Sequence, residues 1–175
     1  YTRQDQMNIV MFYYLRVFKE IYWLQLLLLN ASYPMVYRNL RYVLQMMCLA
    51  FYVDTRSREI TLDEQIEKAK ENEDKGLYGW KLMQHALSEI FGERLTESHF
   101  HPLWKQLCRH VHPSPREMDM MATKDFSILV TDSFNEDLAR EVMRTTDEVF
   151  DIVCAIVFKR FHRINKAALT YDSLN

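Results

Sequence analysis

The sequence predicts an all-α protein, an antiparallel helical bundle of about five helices with long first, second and last members. Three observations carry this. The chain has three glycines and four prolines in 175 residues, too little punctuation for a fold built from tight hairpins. Apolar residues recur at alternating steps of three and four through most of the length, the spacing of one helical face. Capping signals fall where the apolar runs begin and end. With 49% apolar and 26% charged residues, the composition is that of a globular protein and too apolar for disorder. No repeat or composition shift divides residues 1–175, so one domain is expected.

The first helix is predicted from Gln4 to Asn30, with an apolar stripe through Val10, Tyr14, Val17, Ile21, Leu24 and Leu28. Ser32 is placed to cap the second, and Pro34 falls in its first turn, where a missing N–H costs nothing. Val36, Leu40, Val43, Met47 and Ala50 form its seam, and it should end near Asp54. Thr61-Leu-Asp-Glu64 is a capping box that opens a charged third helix up to Lys75. Its Glu/Lys run reads as a solvated face, with i,i+4 pairs such as Glu64–Lys68 and Glu67–Glu71, mixed in sign. Gly76 and Gly79 mark a break, and a fourth helix runs from Trp80 to Phe91 with Gly92 as its stop. Pro113-Ser-Pro115 interrupts regular structure, and Phe126–Val130 reads as a short strand or a buried extended stretch. Ser133-Phe-Asn-Glu136 is a second capping box. It opens a last helix with Leu138, Val142, Thr145, Val149, Ile152 and Ile156 in strict alternation. The wide apolar face of this helix predicts that it is central.

A net charge of −2 gives no general attraction for nucleic acid or an anionic membrane. The most apolar run, Ile21–Leu29, is too short to span a bilayer, and Arg16, Lys19 and Glu20 precede it. Asp5 and Glu20 stand where a signal peptide would carry basic charge, so none is expected. Cys48, Cys108 and Cys154 are an odd, scattered set, which argues for a reducing, cytoplasmic compartment and against a disulfide framework.

Chemistry-bearing residues concentrate between His99 and Ser114, which hold His99, His101, His110, His112 and Cys108. If Leu103–Val111 is a helix started by Pro102, then Trp104, Leu107, Cys108 and Val111 face the core and His112 caps the exit. That plain structural reading explains every residue type. A catalytic reading takes Arg109 as a phosphate anchor and His112 as a general acid or base, the pair suited to cleaving RNA. A metal reading would use Cys108 and His112 at i,i+4, with His101 a further turn back on the same flank. No CxxC or HExxH pattern supports it, so no metal and no cofactor are expected. A Cys108–His112 nucleophile–base pair lacks an identifiable third residue.

Two further features bear on packing and partners. Arg41 on the second helix is expected to pair with Asp147 or Asp151 on the last, because charges on a bundle's inner flank are rare unless paired. Tyr13, Tyr14, Tyr22, Trp23, Tyr33, Tyr37 and Tyr42 load the first two helices with more aromatics than one small core needs. Those two helices are therefore the expected partner surface.

The stretches Tyr37-Arg-Asn-Leu-Arg-Tyr-Val-Leu-Gln-Met-Met-Cys-Leu-Ala-Phe-Tyr-Val-Asp54 and Leu103-Trp-Lys-Gln-Leu-Cys-Arg-His-Val-His-Pro-Ser114, followed by a long final helix, resemble uncharacterised archaeal and bacterial proteins similar in plan to HEPN-type bundles. That superfamily contains many RNA-cleaving toxins and defence proteins. The resemblance covers the order of elements from Ser32 to Ile164. HEPN nucleases use an Arg, then four to six residues, then a His, usually at a dimer interface. The nearest equivalent here, Arg109 and His112, has only two residues between. What the resemblance implies best is a binding or dimerisation module, with metal-independent ribonuclease activity through Arg109 and His112 as the alternative. The expectation is a cytoplasmic homodimer that uses no membrane, with RNA or a protein as a candidate further partner.

Overall fold

The computed structural model describes residues 8–75, 79–109 and 136–172, with side chains of the last stretch as far as Phe161. Every element among the described residues is helical and no strand occurs. Among the described residues there are six helices, against the about five expected: α1 (Ile9–Leu29), α2 (Tyr33–Arg56), α3 (Leu62–Asp74), α4 (Trp80–Phe91), α5 and α6 (Glu136–Asp172). Helix α5 is composite, starting as Glu93–Leu95, widening to a π-helix over Thr96–Phe100 and continuing as an α-helix over His101–Arg109. The Phe126–Val130 segment and the Ser133 cap lie outside the described residues.

Local signals explain most boundaries. Asn8 caps α1 by accepting from Met11 N–H at 3.0 Å. The turn into α2 is a Schellman closure: Ser32 N–H bonds the Leu27 carbonyl and Ala31 N–H bonds that of Leu28. Ala31 takes the left-handed position, φ 53°, where glycine is usual. Ser32 does stand at the start of α2, but its side chain makes no capping bond. Both halves of the Thr61–Glu64 capping box form. Gly79 and Gly92 adopt φ of 73° and 85° at the two ends of α4, conformations that side chains with a Cβ strongly disfavour.

The core gathers around α2, not around the last helix as its wide apolar face suggests. Helix α2 packs against α1, α3, α4, α5 and α6. Its predicted seam, Val36, Leu40, Val43, Met47 and Ala50, is completely buried, and Tyr33, Tyr37, Leu44 and Phe51 are buried beside it. Helix α6 contributes Val142, Thr145, Val149, Ile152, Val153 and Ile156 from one side. Its other apolar side chains as far as Phe161 are partly or largely open, Phe158 above all.

The buried charge also lies elsewhere than expected. Asp147 and Asp151 are exposed, and the Arg41 guanidinium lies over the Trp104 ring, 5.0 Å from its centroid. A buried inter-helix ion pair joins Asp54 of α2, whose side chain is wholly buried, to Arg160 of α6, with Nε 2.5 Å from Oδ2. The Nε–H direction does not meet hydrogen-bond geometry, so the contact is ionic. Arg58 approaches the same oxygen at 3.9 Å. Beside it, buried Gln65 of α3 accepts from Ile9 N–H and donates to the Ser57 carbonyl, tying α1, α2 and α3 together. Spacing along a helix identifies a flank that faces inward, but which carboxylate it meets depends on how the helices cross.

Candidate functional site

The described part of the histidine-rich segment, His99 to Arg109, lies in α5. Pro102 lies inside the helix, not at its start. A proline there removes one i→i−4 bond and crowds the carbonyl four residues back. The helix passes it through the widened π-turn upstream, where His101 N–H reaches back five residues to the Thr96 carbonyl. Trp104 and Leu107 face the core as predicted, and Cys108 is half-buried.

Each histidine described here has a local partner. His99 Nε2 stands 2.8 Å from the Glu148 carboxylate of α6. His101 stacks on Trp80 with ring centroids 4.4 Å apart, and its Nδ1 is 3.5 Å from Glu97. Glu97 also accepts from the Gln84 amide at 2.7 Å. His85 lies against the Tyr52 ring, which carries the Arg56 guanidinium on its face. Farther along α5, the Gln106 amide donates to Glu141 at 2.9 Å and meets Thr145, with the buried Tyr37 hydroxyl in the same knot. These contacts bind α5 to α2, α4 and α6.

The chemical candidates fare unequally. Arg109 is exposed on the last described turn of α5. His112 lies outside the described residues, and so does the geometry of any Arg109–His112 or Cys108–His112 pair. His101 and Cys108 are seven residues apart, about 10 Å along a helix, so the expected single turn between them is two. No group of three His, Cys, Asp or Glu able to hold a metal occurs among the described residues. Burial raises the Cys108 thiol above its ordinary value, against a smaller opposing pull from Arg41, so it is not an activated thiolate. A shallow depression along α3, lined by Ile60, Glu64, Ile66 and Glu67 among others, belongs almost wholly to one helix and brings no groups together.

The feature that needs an explanation is α1. Its inner stripe, Val10, Tyr14, Val17, Ile21, Leu24 and Leu28, is buried or partly buried against the core. Its outer side is apolar as well: Phe12, Leu15, Phe18, Tyr22, Trp23, Leu26 and Leu29 are all exposed, Tyr22 at 69% and Leu29 at 83%. Arg16, Lys19 and Gln25 are the polar residues exposed with them. Of the aromatics expected at a partner surface, Tyr33 and Tyr37 are core, Tyr13 and Tyr14 are half-buried, and Tyr22, Trp23 and Tyr42 are exposed. The surface is thus narrower than the first two helices together, and it includes phenylalanines and leucines that aromatic counting missed. The signal that finds them is a second 3–4 repeat on α1, out of phase with the first. No helix among the described residues is long and apolar enough to cross a membrane.

Comparison with protein-family models, with curated proteins and with solved structures returns no match. It therefore bears neither for nor against the HEPN-like resemblance.

Proposed function

We propose that this is a cytoplasmic association module that pairs as a homodimer and performs no catalysis of its own. The outer face of α1 carries that reading. A monomer's largest exposed apolar patch is ordinarily about 300–600 Å², and larger ones mark interaction sites. Seven large apolar side chains, each 38–83% exposed, leave on the order of 800 Å² open on one helix, taking aromatic side chains at roughly 150–250 Å² each. The three cysteines, all unpaired, fit a reducing compartment. The antiparallel bundle is supported by the connection Asn30–Ser32, short enough to return α2 alongside α1.

Sedimentation equilibrium at micromolar concentration tests the reading. The wild-type chain should exceed its 21.1 kDa monomer mass, and Tyr22→Arg/Leu26→Glu should bring it to that mass with helicity unchanged. A monomeric wild type, or a double variant that associates as before, overturns it.

A further inference from the structure

The outer face of α1 holds a register as well as an area. Phe12, Leu15, Lys19, Tyr22, Leu26 and Leu29 follow one another at steps of three and four, which are the a and d positions of three successive heptads. This seam lies about 150° around the helix from the core-facing one, so α1 can serve the bundle on one side and a second helix on the other. Building on the association reading above, we propose that the occupant is α1 of a second copy, running antiparallel. Phe12 of each copy then packs against Leu29 of the other, Leu15 against Leu26, and Lys19 against Tyr22.

Four arguments select this occupant and direction. The exposed apolar area, on the order of 800 Å² per chain, matches one side of a standard protein–protein interface. A two-fold axis needs one self-complementary surface; in this register every a residue meets a d residue and no exposed seam residue is left uncovered. An antiparallel slip by one heptad strands either Phe12 and Leu15 or Leu26 and Leu29 in water. A parallel, in-register pair would set Lys19 against Lys19 at a core position, where like charges repel. The antiparallel pair sets it on the Tyr22 ring, whose face attracts a cation, and it also opposes the two helix dipoles favourably. The exposed charges of α1, Arg16 and Lys19, offer no acidic or strongly basic stripe that would ask for a partner of different chemistry.

Cross-linking reads the register directly. In a Cys108→Ser/Cys154→Ser background, Leu15→Cys and Leu26→Cys are made as separate single-site variants and treated with a short bismaleimide. An equimolar mixture should cross-link to dimer. Leu15→Cys alone should not, because its two sites lie about 17 Å apart along the axis at 1.5 Å per residue; the same separation keeps Leu26→Cys alone from cross-linking. Cross-linking of Leu15→Cys by itself shows a parallel pair and overturns the proposal. So does an uncross-linked mixture in a protein that sedimentation shows to be dimeric, and in that case association through another face stands. A wild type that is monomeric at micromolar concentration, whether free or bound to phosphatidylcholine vesicles, overturns both this proposal and the reading beneath it.

Discussion

Replacing Asp54 by Asn tests how α2 and α6 are locked together. The carboxylate is inaccessible to water, Arg160 retains 18% side-chain exposure and Arg58 retains 47%. Removing one member of a fully buried pair costs about 3–5 kcal/mol, because the other charge is left uncompensated. Both guanidiniums here can recover part of their hydration, and burying the carboxylate is itself costly. The expected loss is therefore about 2–3 kcal/mol, or about 5–10 °C in Tm for a chain of this size. Urea unfolding followed by far-ultraviolet circular dichroism measures it, with Asp151→Asn, an exposed carboxylate on α6, as the control within about 0.5 kcal/mol of wild type. Asp54→Leu/Arg160→Met should recover most of the loss, since apolar replacement of both partners is often neutral. Burial pushes the Asp54 carboxyl up against the pull of Arg160 and then Arg58, and that burial cost is what holds the expected loss below the cost of breaking a fully buried pair. An Asp54→Asn protein as stable as wild type at neutral pH refutes the account.

The other predictions concern the junction of α1–α3 and the thiols. Gln65→Leu leaves the Ile9 N–H and the Ser57 carbonyl without the partner they now share. It should cost about 2–6 kcal/mol, two groups at about 1–3 each, together with faster amide exchange at Ile9; an unchanged exchange rate there rules the bridge out. Cys154 is exposed, Cys108 half-buried and Cys48 fully buried with its thiol pushed up by desolvation. A thiol reagent should modify Cys154 first and Cys48 only on unfolding, as peptide mapping by mass spectrometry resolves. Native labelling of Cys48 at the rate of Cys154 contradicts the placement of α2 at the centre.

Where capping chemistry or periodicity acts within one turn of chain, the sequence marks most boundaries. The Thr61–Glu64 box, Gly79, Gly92 and the α2 seam appear where their local chemistry puts them, because capping and periodicity involve residues at most four apart. The Ala31 closure leaves no mark in the sequence, because a left-handed residue at a helix end is ordinarily glycine. The continuation of α5 through Pro102 is equally silent, because a π-turn leaves no compositional mark. In the candidate surface, Tyr22 and Trp23 were recognisable from side-chain type. Leu15, Leu26 and Leu29 were not, since a leucine at helical spacing reads equally as core.

Short-range rules written in the residue order settle that this chain is helical, where most of its helices start and stop, and which α2 residues turn inward. Three things came only from the assembled helices: that α2 is the hub, that Asp54 meets Arg160, and that half of an apolar α1 is left in water. Each of these depends on which helix lies against which, and crossing geometry is decided by surfaces brought together from distant parts of the chain.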